Sequence, residues 1–370
     1  MDTSFPEMKK KLGFGFMRLP MNRGGIDSDT VCAMVDEFLA AGFNYFDTAH
    51  GYHSGRSETA IRDCLTSRYP RDSYILADKL TDYCFSRESD IRPLFMRQLA
   101  ACGVDYFDFY LMHSQGAELF DYFKKRRAYE TAIALKEEGR IRHFGISFHD
   151  RASVLRSILL EYPQIEVVQI QLNYADYDDP AVESRKVYEV CAEFHKPVIV
   201  MEPVKGGSLA DLPESAESVF SALHGGSPAS YAIRFAAGFE GVVMVLSGMS
   251  TIGQLRDNMS FMTDLAPLCE KEQAAIEKVC GILRAERLIQ CTACRYCTDA
   301  CPKRIDIPSL FACMNAHTRH GDWNQGYYYD VITERGGKAS DCIKCGKCEH
   351  TCPQHLEIRK LLKNVAKMFE

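Results

Sequence analysis

The chain has 370 residues, 46% of them hydrophobic, with 44 Lys and Arg against 50 Asp and Glu for a formal net charge of −6. That length holds one large domain plus a small one, and the ordinary apolar and charged fractions exclude a disordered chain. The mildly acidic balance predicts no basic surface for nucleic acid or for an anionic membrane.

The chain begins MDTSFPEMKKK, without an apolar signal segment, and no apolar run reaches membrane length. A reducing cytoplasm is therefore expected. From about Lys11 to Asp264, short apolar runs alternate with amphipathic stretches. The runs GFGFMRL, NYFDTA, YILADKL, FDFYLMH, HFGIS, VVQIQLN, PVIVMEP and VVMVLSG read as strands. Between them lie helical patterns such as SDTVCAMVDEFLAAG, with Ser28 as the expected cap and Gly42 as the expected end. YETAIALKEEG is another, closed by Gly139. Strands apolar on both faces and separated by helices imply a parallel sheet. Eight such units point to an α/β fold, a (β/α)8 TIM barrel, in preference to an open doubly wound sheet. No G-x-G-x-x-G follows a strand, as a dinucleotide-binding sheet would require.

A polar helical segment, KEQAAIEKVCGILRAER, closes this part. We set the barrel at residues 1–285 and a cysteine-rich domain at 286–370. There Cys291, Cys294, Cys297 and Cys301 precede Pro302, and Cys342, Cys345, Cys348 and Cys352 precede Pro353. Each set spells C-x-x-C-x-x-C-x-x-x-C-P. Three thiolates on one tight loop take three corners of an iron–sulfur cube, and the fourth serves the other cube. The expected assignment is Cys291, Cys294, Cys297 and Cys352 on one [4Fe–4S] cluster, with Cys342, Cys345, Cys348 and Cys301 on the second. The tail thus resembles a bacterial two-cluster ferredoxin. Zinc is the plainer alternative, but a zinc site closes with four ligands and usually takes pairs separated by a longer span. The other eight cysteines, among them Cys32, Cys64, Cys102 and Cys191, show no ligand spacing and read as small buried side chains. The 40 residues between Cys301 and Cys342, which include Trp323, Tyr327, Tyr328 and Tyr329, exceed what a minimal ferredoxin needs. They are expected to cover the clusters or to dock the tail.

In a barrel of this kind reactive groups belong at the C-terminal ends of strands. Asp47 ends NYFDTA with Tyr52 in the following loop, Lys79 falls at the end of YILADKL, and His113 ends FDFYLMH. Singly, each has a dull reading as a turn cap or a satisfied core side chain. Together they form a proton-delivery set. A phenol with a pKa of about 10 is a poor acid at neutral pH. A nearby ammonium favours the phenolate, a buried aspartate holds that ammonium, and a histidine orients a carbonyl oxygen.

D-T-A-x-x-Y at Asp47–Tyr52, with Lys79 and His113 at later strand ends, resembles the aldo-keto reductase family. The likeness extends through GFGFMRLP, IRHFGIS, VVQIQLNY, MEPVKGG and VLSGMSTIGQLRDN. It implies NAD(P)(H)-dependent reduction of a small carbonyl, or oxidation of an alcohol, with Tyr52 as general acid. Lys79 and Asp47 would tune it and His113 would orient the carbonyl. For the cofactor, the resemblance implies contacts from Gln169 and Ser147 at the nicotinamide. Gly206, Gly207 and Ser208 would approach a pyrophosphate, and Gly248, Ser250, Gln254 and Asn258 the adenosine end. Met201 stands where many members stack an aromatic ring, and Phe148 where many have asparagine. Gly248 and Gln254 replace the Lys and Arg that often hold a 2′-phosphate, which removes charge-assisted bonds of about 1.5–3 kcal/mol each. Arg18 is the candidate replacement charge. As a whole the chain resembles the subgroup with a C-terminal two-cluster ferredoxin-type domain.

Hydride transfer moves two electrons and a cubane moves one. Either a flavin or another splitter joins the two, or the clusters serve a partner, stability or redox sensing. The two-cluster spacing, that of electron carriers, makes a soluble ferredoxin or flavodoxin the candidate partner, and neither nucleic acid nor membrane is expected. The alternative is an electron-transfer or scaffold protein whose barrel no longer does hydride chemistry.

Overall fold

Val, Ile, Leu and Phe dominate the eight apolar runs, and each folds as a parallel strand in the computed structural model of the chain. The strands are β1 (Leu12–Gly15), β2 (Tyr45–Asp47), β3 (Ile75–Leu80), β4 (Phe107–Gln115), β5 (Ile141–Phe148), β6 (Val167–Gln171), β7 (Val198–Met201) and β8 (Val242–Ser247). They close in the order β1-β8-β7-β6-β5-β4-β3-β2, each pair parallel, as a (β/α)8 barrel requires. A short hairpin, Met21–Asn22 with Gly25–Ile26, precedes the first helix. The structure describes residues 5–180, 182–223, 225–286, 288–320, 324–334 and 336–370. They divide into two units, Met1–Val204 with Gly226–Gln273, and Lys205–Gly225 with Ala274–Glu370. Among the described residues no helix is long and apolar enough to cross a membrane.

Side chains two apart on a strand share a face. Inside the barrel, Tyr45, Ile75, Ala77, Phe109, Leu111, Val167 and Ile199 pack together with Phe5. Gly145 permits the close approach of β5 to β6, because a Cβ there would meet Val167 at 2.5 Å. The outer faces pack on the helices in a larger cluster that includes Phe14, Phe38, Phe46, Tyr110 and Phe144.

The first helix, Ser28–Ala40, ends at Gly42 with φ +83 as expected, but its cap is Asp27 and not Ser28. The Asp27 carboxylate accepts the Thr30 N–H, and a carboxylate at that end also meets the positive pole of the helix. One cysteine reading is corrected. Cys32 on this helix and Cys64 are joined as a disulfide, their Cα atoms 4.5 Å apart, a proximity that a separation of 32 residues does not announce.

The second unit has its own core of Ile305, Ile307, Leu310, Phe311, Tyr329, Ile358, Leu362 and Val365. Tyr329 stacks on Phe369 with ring centroids 5.1 Å apart. Trp323, singled out from the sequence, lies outside the described residues.

Candidate functional sites

Continuing the inward alternation by two residues places Asp47 after Tyr45, Lys79 after Ala77, His113 after Leu111 and Gln169 after Val167. The barrel thus changes from apolar to polar at the C-terminal ends of its strands. Asp47, Lys79, His113 and Gln169 are all buried. Lys79 Nζ donates to Asp47 Oδ1 at 2.6 Å and to the Thr48 carbonyl at 2.7 Å, and Gln169 Nε2 donates to Asp47 Oδ2 at 3.3 Å. Burial pushes the Asp47 carboxyl up, and the Lys79 ammonium opposes that push. Tyr52, half-buried, lies over this pair, with Lys79 Nζ 5.1 Å from its ring centroid. The His113 ring stands edge-on to the Tyr52 ring at 6.0 Å. His113 is held well below the usual imidazole range, first by burial and then by the Lys79 charge and His149. It therefore stays neutral. The structure brings Asp47, Tyr52, Lys79 and His113 into one cluster.

Backbone strain gathers at the same end. Positive φ occurs at His53 and Ser54 in the loop that bears Tyr52, at Ser114 near the end of β4 and at Glu202 just beyond β7. The Ser147 hydroxyl accepts the Ser114 N–H at 2.7 Å and so ties down the turn after His113.

Other supports were not picked out from the sequence. Thr81 Oγ1 lies 2.9 Å from His113 Nδ1 and fixes the ring, while Gln98 donates to the Lys79 carbonyl and accepts from Tyr110. Behind β3, on its helix-facing side, Asp78 and Glu58 are both fully buried and hydrogen bonded to each other. Burial, and then the Glu58 charge, push the Asp78 carboxyl well up. His50 Nδ1 sits 2.9 and 3.0 Å from the two Glu58 oxygens. A signal was available: Asp78 is a carboxyl on the helix-facing side of an otherwise apolar strand.

The expected cofactor positions are distributed over both units. Past β8, the Ser250 hydroxyl donates to the Arg18 carbonyl at 2.8 Å, the Ser250 N–H donates to Gln254 Oε1, and Gly248 packs against the Arg18 side chain. Asn258 is buried and donates to Ser247 Oγ. Arg18 faces Glu202 at 3.8 Å. Met201, part-buried, ends β7. Gly206, Gly207 and Ser208 belong to the second unit. There Gly206, at φ +67, lies so close to Thr292 that a Cβ would meet its carbonyl oxygen at 2.4 Å.

The cysteines line two small pockets. One is lined by Cys291, Cys294, Cys297 and Cys352, the other by Cys301, Cys342, Cys345 and Cys348. Ile307, Pro308 and Phe311, from the segment between the motifs, also line the first. The two loops repeat one backbone pattern. Positive φ recurs at Ala293 and Arg295 in the first and at Lys344 and Gly346 in the second, then at Arg304 and His355 after each proline. Such bends turn amides inward, and the Ala293 N–H donates to Cys291 Sγ at 3.4 Å. Sulfur-only donors around a space of this kind fit a cluster better than a single ion.

Comparison with known proteins agrees with both halves. Residues 11–280 match the model of the aldo/keto reductase family, and residues 290–357 that of a 4Fe-4S dicluster domain. An uncharacterized oxidoreductase of Bacillus subtilis, YqkF, is 26% identical over 299 residues, which is 72% of this chain and 91% of that one. The NADH-specific methylglyoxal reductase of Escherichia coli is 26% identical over 207 residues, 51% of this chain and 61% of that protein. Among solved structures, the holo form of aldo-keto reductase AKR11C1 from Bacillus halodurans superposes with a TM-score of 0.58. Its identity is 25%, over 74% of this chain and 96% of that one. An aldo-keto reductase from Klebsiella pneumoniae in complex with NADPH gives the same TM-score at 17% identity, covering 73% and 95%. The chain is an oxidoreductase of the aldo/keto reductase family that carries a C-terminal 4Fe-4S dicluster domain.

Proposed function

We propose that the barrel reduces a small carbonyl, or oxidises the matching alcohol, with a nicotinamide cofactor, and that the eight motif cysteines hold two [4Fe–4S] clusters. The observation that carries the first part is the buried Lys79–Asp47 pair at 2.6 Å beneath the Tyr52 ring. A nicotinamide supplies the hydride for the carbonyl carbon. Tyr52 gives its hydroxyl proton to the carbonyl oxygen. The Lys79 ammonium, paired with Asp47, stabilises the phenolate left behind. Neutral His113, fixed by Thr81, orients the carbonyl oxygen by hydrogen bonding. Gln169 and Ser147 would face the nicotinamide; Gly248, Ser250, Gln254 and Asn258, with Arg18, the adenosine end. Gly206, Gly207 and Ser208 would serve the pyrophosphate. The cation-poor pair Gly248 and Gln254 favours NAD(H), in line with the NADH-specific relative.

Each cluster would supply one-electron chemistry when bound, and a soluble ferredoxin or flavodoxin would be the exchange partner. The test is Tyr52→Phe in anaerobic protein. We expect carbonyl reduction to fall by about 10²–10⁴-fold, with nicotinamide binding by fluorescence and the iron content unchanged. Retention of near-full turnover removes Tyr52 from the proton step. Failure of the wild type to bind either nicotinamide would favour a barrel without hydride chemistry.

A further inference from the structure

The two cysteine cavities share a backbone but differ in their surroundings. In the first, all four thiols are buried or half-buried. In the second, Cys345 is exposed, and Ile343 beside it is 57% exposed, the one large apolar side chain of that loop turned to water. Charge differs as well. Segments 301–304 and 341–349 carry four exposed cations, Lys303, Arg304, Lys344 and Lys347. Their acids are Asp341 and Glu349, and Glu349 is engaged by Arg359, which lines the same cavity. Lys303, Lys344 and Lys347 join no ion pair among the described residues. On a chain of net charge −6 this is a local reversal of sign, which total composition concealed. Ile343 lines the cavity together with Lys303 and Arg359, and the exposed Lys344 and Lys347 lie on its own loop, so an exposed apolar side chain is accompanied by cations, a surface suited to a negatively charged protein partner.

We propose that the cavity of Cys301, Cys342, Cys345 and Cys348 is the outward electron port of the chain, where an acidic one-electron carrier protein docks on Ile343, Lys303, Lys344 and Lys347. The proposal rests on the reading of both motifs as [4Fe–4S] sites. Electron tunnelling falls steeply with distance, so a carrier profits from the site whose sulfur reaches the surface. The exchange is balanced by one electron: the reduced carrier loses it, the oxidised cluster gains it, and no bond or proton moves. The lysines raise the encounter rate and orient the carrier, and Ile343 excludes water at the contact.

The experiment uses the full chain with clusters assembled anaerobically, and an acidic [2Fe–2S] ferredoxin as the probe, whose spectrum is distinct from that of a cubane. Binding is measured by calorimetry at low and high salt, and electron entry by stopped flow. The triple variant Lys303→Glu, Lys344→Glu, Lys347→Glu should bind about tenfold more weakly at low salt, with slower electron entry and a difference that fades as salt is raised. The Lys→Gln version should lie between, which separates charge from misfolding. Ile343→Ala should weaken binding at both salt concentrations. Equal binding by wild type and triple variant, or salt-independent binding, overturns the proposal. So does self-association of the chain through this face in place of carrier binding. Clusters present without carrier binding would overturn this inference alone, whereas protein lacking iron and sulfide after assembly would overturn the cluster reading beneath it.

Discussion

Replacing Lys79 by Met tests the electrostatic logic of the barrel mouth. Lys79 and Asp47 are 1% and 4% exposed, so their 2.6 Å pair is screened little by water. Met restores the apolar stem but removes the charge and the bond to the Thr48 carbonyl. Asp47 then keeps only the 3.3 Å bond from Gln169. Breaking a buried pair from one side costs about 3–5 kcal/mol. For a barrel-sized unit that is roughly 2–4 °C per kcal/mol, or about 6–20 °C in melting temperature. The sign with pH follows from Asp47. Burial already raises its carboxyl, and Lys79 is the largest opposing influence, so the variant raises it further. A group with a raised folded-state pKa contributes fully below its unfolded pKa and loses that contribution as pH rises through the folded one. The deficit of Lys79→Met against wild type should therefore be small near pH 5 and grow toward pH 8. Adding Asp47→Asn should recover most of it. Melts followed by circular dichroism across that range decide the matter. An equal deficit at both ends, or a double variant that loses the sum of its parts, would refute the reasoning.

Asp78→Asn should stabilise the barrel relative to wild type by an amount that grows as pH rises above the ordinary carboxylate range, because the amide keeps a donor for Glu58 without the carboxyl whose raised pKa costs stability as pH rises; chemical denaturation at two pH values measures it, and a loss at the higher pH counts against the raised Asp78 carboxyl. Cys352→Ala should remove the cluster of the Cys291 loop, taking iron from about eight to about four per chain, and paramagnetic resonance identifies which signal is lost. Loss of the Cys342-loop signal instead would show that the cross-ligation is wrong. Gly206→Ala forces both a strained φ and a clash with the Thr292 carbonyl, so the second unit should lose about 1–3 kcal/mol by melting of the iron–sulfur absorbance. An unchanged melt there would refute the close approach.

Much of the barrel was legible because its signal is local. Each strand is a short apolar run, and alternation within NYFDTA, YILADKL and FDFYLMH carries Asp47, Lys79 and His113 to one end of the interior. The helix start moved by one residue because Ser28 and Asp27 are both competent caps, and only the backbone decides which side chain meets the Thr30 amide. The cross-chain contacts were not legible. Thr81 beside His113, Glu58 beside Asp78, Cys32 beside Cys64 and Gly206 beside Thr292 are each separated by about 20 residues or more, with nothing in local pattern to pair them. The cysteine motifs were the opposite case, since their spacing itself encodes which thiols share a cavity.

The repeated bends of the two cysteine loops carry a consequence for redox tuning. Cradles of matching backbone present matching amide dipoles to their sulfurs, so main-chain geometry offers little to tell one centre from the other. Any gap between the two midpoint potentials must then arise from hydration and neighbouring side-chain charge, with the wetter, lysine-flanked centre the easier to reduce. A gradient of that kind would give current through the pair a preferred direction.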